Sequence, residues 1–211
     1  MQKIGVTIFG NALEKIPIES WGIDDAAVQK IGQIMGPQVN VRRLAIPGAA
    51  LKALENPAPF SGWDSNPLEE LLRAAAAGSP KCELYVTLTR IGFNYNQTNQ
   101  TVTGLTIVDT SPLVDRVFLV AGFVIALYDS DLKYLKRDIP GFNLLPGLMA
   151  APQAMHRQVD RTWMPEPPQA AAQSAQLKNA TRALVEDGLA KTLPALLKPA
   201  DEQAVYSAQR D

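Results

Sequence analysis

The longest apolar run of the chain is Val117–Tyr128, twelve residues without a charge. Apolar side chains fill both alternating sets of positions, and β-branched and aromatic types dominate, which is typical of a strand buried on both faces. The run is too short for a transmembrane helix, which takes about 20 apolar residues. Asp129-Ser130-Asp131 follows it as a turn signal, so the sequence predicts an interior strand that pairs with a more polar strand after Asp131.

The remaining periodicities alternate between strand and helix. Strands are predicted at Lys3–Gly10, Val39–Ile46, Cys82–Phe93 and Thr101–Asp109. Helices are predicted after an N-cap at Asp24 or Asp25, from Pro67 to Gly78, and from about Gln169 to Leu197, where Pro194 would kink or end the last helix. Irregular structure is predicted for Asn11–Gly22, for most of Pro47–Pro67 and for Gly141–Pro168.

This order, β-α-β-α-β-β-β-β-α, predicts a single α/β domain in which helices pack on a mixed sheet and a long helix closes the carboxyl-terminal end. The predicted domain covers residues 1–198, a length that suits one domain. Residues 199–211 form a polar tail whose composition favours disorder.

The composition narrows the function classes. Twenty basic and 21 acidic residues nearly cancel, so no global field favours a nucleic-acid partner. The single Cys82 excludes an intramolecular disulfide and a cysteine-rich metal site, and the single His156 excludes a site with two imidazoles. No phosphate-binding loop, dinucleotide fingerprint or nucleophile elbow occurs. We therefore expect no cofactor, no metal and no transmembrane segment.

The amino terminus bears on the compartment. Met1-Gln2-Lys3 leads directly into an apolar strand pattern and carries no apolar core of a signal peptide. The sequence predicts a cytoplasmic protein if Met1 is the native start, and a periplasmic one if a signal peptide was removed.

Two polar stretches carry candidate binding residues. In the loop Phe93–Thr101, amides such as Asn96 and Asn99 suit hydrogen bonds to a sugar or a peptide backbone, with Tyr95 as a stacking surface. An ordinary hairpin tip explains the same residues, because Asn tolerates left-handed turn geometry, and it is the favoured interpretation.

The second stretch runs from His156 to Trp163. Its two guanidiniums, Arg157 and Arg161, suit an anion or a carboxylate-bearing partner. The favoured structural interpretation is a loop pinned to the sheet by Trp163 and by pairing of Asp160 with an arginine. As an acid–base pair, His156 and Asp160 lack a nucleophile with a recognisable context.

The element order and two landmarks resemble the anticodon-binding-like α/β domain shared by the curli-secretion lipoprotein CsgG, the amino-terminal domain of TolB and the activator LpoB. Cys82-Glu83-Leu84-Tyr85-Val86 is similar to the "adyvl" strand start of those domains, and Leu127–Leu132 is similar to their "v.d..tg" hairpin. The lipobox cysteine and the hairpin glycine are missing here. The resemblance implies a bacterial, envelope-associated interaction protein without catalysis, and it brings no catalytic residues to this chain.

The sequence thus predicts a non-enzymatic interaction or scaffold protein that binds a protein partner or self-associates as a homo-oligomer. The alternative is a hydrolase or transferase that uses His156 with Asp160. The predicted partner surface consists of Tyr95, Asn96, Asn99, His156, Arg157, Arg161 and Trp163.

Overall fold

The computed structural model describes residues 1–7, 10–46, 50, 67–94, 101–110, 116–141 and 155–199. Its strands are β1 (Gln2–Thr7), β2 (Gly10–Lys15), β3 (Leu84–Arg90), β4 (Gly92–Asn94), β5 (Thr101–Thr103), β6 (Leu105–Asp109), β7 (Val117–Ala121), β8 (Phe123–Asp129), β9 (Tyr134–Asp138) and β10 (Met155–Val159). Its α-helices are α1 (Ile23–Met35), α2 (Pro67–Ala77) and α3 (Ala175–Leu197).

The strands form three sheets. The largest has the order β10-β7-β6-β1-β2, in which β1 and β6 are parallel and the other pairs antiparallel. The second has the order β3-β8-β9, and β4 pairs with β5 in a short ribbon. The predicted mixed-sheet α/β fold with a long carboxyl-terminal helix is therefore confirmed, and so is the pairing of the apolar run with the strand after Asp131.

The two faces of the apolar run are those that its alternation predicts. Leu119, Ile125 and their alternate neighbours belong to the main core, which α1 and α3 cover. Val120 on the opposite face of β7 packs with Val102 of β5. Tyr128 on the opposite face of β8 packs with Leu72 of α2. Both faces are buried because different elements cover them, as a double-sided apolar pattern requires.

The run is nevertheless divided at Gly122, where three strands exchange partners. Ile91 lies between β3 and β4, Gly104 between β5 and β6, and Gly122 between β7 and β8. Their backbones close a ring: Ile91 N–H donates to Gly122 O (3.1 Å), Gly122 N–H to Gly104 O (3.0 Å), and Gly104 N–H to Ile91 O (3.1 Å). Gly104 has φ +61°, a conformation that favours glycine. The predicted strands Cys82–Phe93 and Thr101–Asp109 are divided at this ring in the same way.

Three predictions about individual segments were wrong. Val39–Ile46 is not a strand: in the structure, residues 40–46 have no regular secondary structure. Part of the predicted irregular segment Asn11–Gly22 is strand β2, which forms a hairpin with β1. Part of Gly141–Pro168 is strand β10, which pairs with β7 at the sheet edge. In each case contacts with the rest of the fold, which the local pattern does not contain, decide whether the segment pairs.

The helix ends also differ in detail from the predictions. Gly22 (φ +59°), rather than Asp24 or Asp25, is the N-cap of α1, and the two aspartates lie in the first helical turn. Residues 168–173 form a 3-10 helix, and α3 begins only after Ser174, whose Oγ accepts from Leu177 N–H. Pro194 lies inside the last turns of α3 and does not end it.

Candidate binding cleft

The predicted loop site cannot be located, since Tyr95, Asn96 and Asn99 lie outside the described residues. The four other predicted site residues, His156, Arg157, Arg161 and Trp163, lie in or directly after the edge strand β10. Of the two predicted polar stretches, the structure thus describes only the second, from His156 to Trp163.

The side chains of β10 contact their own fold. The exposed His156 ring stands edge-on to Phe118 of β7, with the ring centroids 6.1 Å apart. Arg157 Nη2 donates to Asp187 Oδ2 of α3 at 3.0 Å. These contacts tie the edge strand to the neighbouring strand and to the covering helix.

The turn after β10 is fixed by two aspartates. Asp160 caps a 3-10 helix at residues 161–163: its Oδ1 accepts from Thr162 N–H (2.8 Å) and Thr162 Oγ1 (2.7 Å), bonds that lower the pKa of the Asp160 carboxyl. Arg161 makes a bidentate pair with Asp109 at the end of β6, at 2.8 and 2.9 Å. The predicted pairing of Asp160 with an arginine is replaced by this pair, because the capping position already engages Asp160.

Trp163 is half-buried and packs against the main core, as the pinned-loop interpretation requires. His156 and Asp160 are four residues apart along an extended chain, a separation of roughly 13 Å, too far for a direct hydrogen bond. The segment therefore has the geometry of a structural clamp between β6, β7 and α3.

A large cleft opens elsewhere, between α1, residues 38–46 and strand β3. It encloses about 1310 Å³, more than the roughly 300–1,000 Å³ of most small-molecule sites. The α1 wall is apolar, with Ala27, Ile31 and Met35 among its residues, and Phe123 and Leu105 line it from the sheet side. The cleft runs along the whole of β3, from Cys82 to Arg90. We call this space the β3 cleft.

One edge of β3 faces the cleft, and no strand among the described residues pairs with it. Within these residues, β3 pairs with β8 alone and is the terminal strand of its sheet. The antiparallel register continues to Ile91, whose N–H donates to Gly122 O across the pair. Because donors alternate along an antiparallel strand, residues 85, 87 and 89 direct their backbone groups at β8, and Leu84, Val86 and Leu88 direct theirs at the cleft.

Those outward backbone groups have no hydrogen-bond partner among the described residues. Leu84, Val86 and Leu88 are half-buried, and their side chains pack against the main core. Polar backbone groups in a partly buried, apolar setting cost free energy unless they are paired or hydrated. The edge of β3 is therefore an incomplete ladder.

The side chain of Thr87 also carries a hydrogen-bonding group that has no partner in the described structure. Thr87 lines the cleft and is only 9% exposed, and its Oγ1 is buried without a hydrogen-bond partner in the described structure. A buried hydroxyl without a partner is uncommon and costs about 1–3 kcal/mol. Both backbone and side chain of β3 thus offer unused hydrogen-bonding groups.

The opposite wall is the segment 38–46, which contains the predicted strand Val39–Ile46. Arg43 forms ion pairs with Asp24 and Asp25 at the start of α1. Leu44 and Ile46 pack on the cluster of Tyr85 and α2. Side-chain contacts hold this segment beside α1, and within the described chain no backbone–backbone bond links its residues 40–46 to β3.

The described chain shows no group of three or more His, Cys, Asp or Glu residues that could hold a metal ion. Among the described helices, none has the length and apolar character needed to cross a bilayer. No protein-family model matches the chain, and no match was found among the curated proteins or the solved structures. The resemblance to the domains of CsgG, TolB and LpoB stays a prediction.

The cleft has only an indirect signal in the sequence. Backbone groups have no residue-specific signature, and Thr87 looks like any strand threonine. The alternation of Val39–Ile46, interpreted as a strand, marked the segment that borders the open edge.

Proposed function

We propose that this protein is a non-enzymatic interaction protein and that its β3 cleft receives an extended segment of a partner protein. The segment pairs with the free edge of β3 and extends the β3-β8-β9 sheet by one strand. The observation that carries this proposal is the row of backbone groups at Leu84, Val86 and Leu88 that have no partner among the described residues and lie beside an apolar wall.

The chemistry of the edge favours a polypeptide over an acyl chain. An acyl chain fills apolar volume, but it cannot bond to the N–H and C=O groups that β3 directs into the cleft. A strand that lies about 4.8 Å from β3 can satisfy these groups, and it places alternate side chains against the α1 wall. The length of β3, seven residues, suits a partner segment of similar length.

The enzymatic alternative gains nothing from the geometry around His156. Its ring packs on Phe118, and the Asp160 carboxylate is occupied by Thr162. The resemblance to the domains of CsgG, TolB and LpoB implies association with a bacterial envelope. We include this association in the proposal, because it also describes an interaction protein without catalysis.

Amide hydrogen exchange tests the proposal directly. The probe is a neutral eight-residue peptide of alternating Val and Thr, added to the full ¹⁵N-labelled chain and followed residue by residue. In the free protein, the amides of Leu84, Val86 and Leu88 should exchange faster than those of Tyr85, Thr87 and Thr89. With peptide, the first three should become protected.

The matched control is the same peptide with its four central residues replaced by proline, which removes the N–H groups from both edges of the peptide backbone there and so prevents a complete ladder. Palmitate serves as the acyl probe. Equal protection by palmitate, or no protection by the Val-Thr peptide at millimolar concentration, would contradict strand addition.

A further inference from the structure

The charges around the β3 cleft define the partner more closely. Among the described residues, five basic side chains line the cleft: Lys15, Arg42, Arg43, Lys81 and Arg90. Three acidic side chains of the same described part line it: Glu19, Asp24 and Glu83. The described lining is thus net basic, whereas the whole chain carries a formal charge of −1.

Several of these cations are already engaged. Arg43 pairs with Asp24 and Asp25, and Lys81 pairs with Asp131 at 2.7 Å. The hydrogen bond between Lys81 and Asp131 raises the pKa of Lys81 and lowers the pKa of Asp131. These ion pairs are exposed, and in each of them the cation is neutralised by its own carboxylate partner.

Arg42 is different, because it has no carboxylate partner among the described residues. Its Nε and Nη2 both donate to Cys82 Sγ, at 3.3 and 3.2 Å. A thiol sulfur is a weak acceptor, whereas the guanidinium fork matches a carboxylate. Arg42 thus holds a two-donor site at the start of β3 that a carboxylate would fill better than sulfur does.

Lys15 provides a second such cation at the other end of the cleft. It ends β2 beside Met1, whose ammonium lies within electrostatic range of Glu19 and of Arg90 at the end of β3. No ion pair engages Lys15 in the described structure. Arg42, beside Cys82, and Lys15, beside Met1, thus lie toward opposite ends of β3, whose seven residues span roughly 23 Å.

We infer that the partner segment is an acidic strand: an extended peptide of about eight residues with apolar side chains on the α1 face and carboxylates toward its two ends. This inference rests on the proposed function, since it specifies the side chains of the segment that pairs with β3. Opposite charges at both ends would also fix the register of the added strand.

The test compares two eight-residue peptides that differ only in charge, alternating Val-Glu and alternating Val-Lys, by titration calorimetry at low and at 0.5 M salt. The acidic peptide should bind at least about tenfold more tightly at low salt, and high salt should reduce this preference. Arg42→Gln should weaken acidic-peptide binding about two- to fivefold. The control is Lys191→Gln on the exposed side of α3, which should leave binding unchanged.

The outcomes separate the two proposals. Equal affinities for the acidic and basic peptides, while the neutral Val-Thr peptide still protects Leu84, Val86 and Leu88, would overturn the acidic assignment and leave strand addition standing. If no peptide protects these amides, strand addition itself is wrong. Self-association detected by light scattering and abolished by Arg42→Gln would replace the separate partner with a second copy of the chain.

Discussion

The clamp after β10 and the open edge of β3 both place polar groups beside the same apolar core, and they differ in what those groups contact. In the clamp, Arg157, Asp160 and Arg161 each bond to a neighbouring element of the fold. At β3, the outward backbone groups and Thr87 Oγ1 have no partner in the described structure. Polar residues that look functional in sequence can thus be structural, and unused bonding capacity is the better marker of a binding surface.

The largest expected effect tests the main core, against which both the clamp and β3 pack. Ile125 of β8 is 0% exposed in the main core, behind β3. Ile125→Asp should destabilise the fold by several kcal/mol, because it buries an unpaired charge. Chemical denaturation measures this, and Val124→Asp, at a half-buried position, should cost clearly less. Similar melting of both variants and the parent would show that β8 is not interior.

Two proline substitutions sharpen the contrast between the paired and open sides of β3. Thr87 directs its N–H at β8, so Thr87→Pro should lose a ladder bond and about 3 kcal/mol or more. Val86 directs its N–H at the cleft, so Val86→Pro should cost only about 1–2 kcal/mol and should abolish protection by the Val-Thr peptide. The reverse order of stabilities in urea would mean that the assigned alternation is inverted.

Trp163→Ala tests the clamp. Removing this half-buried indole should lower the free energy of unfolding by about 2 kcal/mol, part of the cost of a fully buried tryptophan. Peptide affinity in the β3 cleft should stay unchanged under conditions where the variant is folded. Weakened cleft binding in a variant of parental stability would assign a binding role to the clamp instead.

Thr87→Val removes the buried hydroxyl without changing the side-chain shape. It should stabilise the free protein by about 1 kcal/mol, since the unpaired group no longer has to be buried. Thermal unfolding measures the gain, and Thr89→Val on the same strand is the control. A loss of stability would mean that Thr87 Oγ1 is satisfied in solution.

The smallest expected effect is on the stability of the fold at acid pH. The bonds from Thr162 hold the pKa of Asp160 below its ordinary value, so the carboxylate contributes stability above its unfolded pKa of about 3.9 and loses it as pH falls through the lower folded pKa. Asp160→Asn removes this titration. Its unfolding profile should therefore run parallel to the parent near neutrality and fall less steeply below about pH 4. Identical acid limbs would show that the cap contributes nothing to acid stability.

Much of the framework was predictable, because it depends on local patterns. The alternation in Val117–Tyr128 identified both buried faces, and the turn after it identified the β8-β9 hairpin. The period of the last helix identified α3 with an error of a few residues at its start. These features follow from which side chains must leave water, a property that each segment carries itself.

The rest depends on what each segment meets. Val39–Ile46 is predicted as a strand and Met155–Val159 as irregular, yet in the described structure only the second pairs with a strand, β7. An ion pair holds the first segment to α1, and apolar contacts hold it to α2 and Tyr85. The division at Gly122 likewise needs Ile91 and Gly104 at the same level to close the ring of backbone bonds. Among the predicted site residues, Arg157 and Arg161 bond to neighbouring elements of the fold, in line with the favoured structural interpretation of their segment. A partner surface at these residues stays a prediction.

The sequence by itself determined an α/β fold with a doubly covered central run and a long final helix, because hydrophobic periodicity acts over neighbouring residues. Only the tertiary structure decided that one edge of β3 has no partner strand among the described residues, that residues 40–46 make no described backbone bond to it, and that a cleft with a net basic described lining lies between them. Backbone hydrogen bonds are identical in every residue type, so whether they are made or left open depends on the spatial neighbours of a strand and not on its own letters.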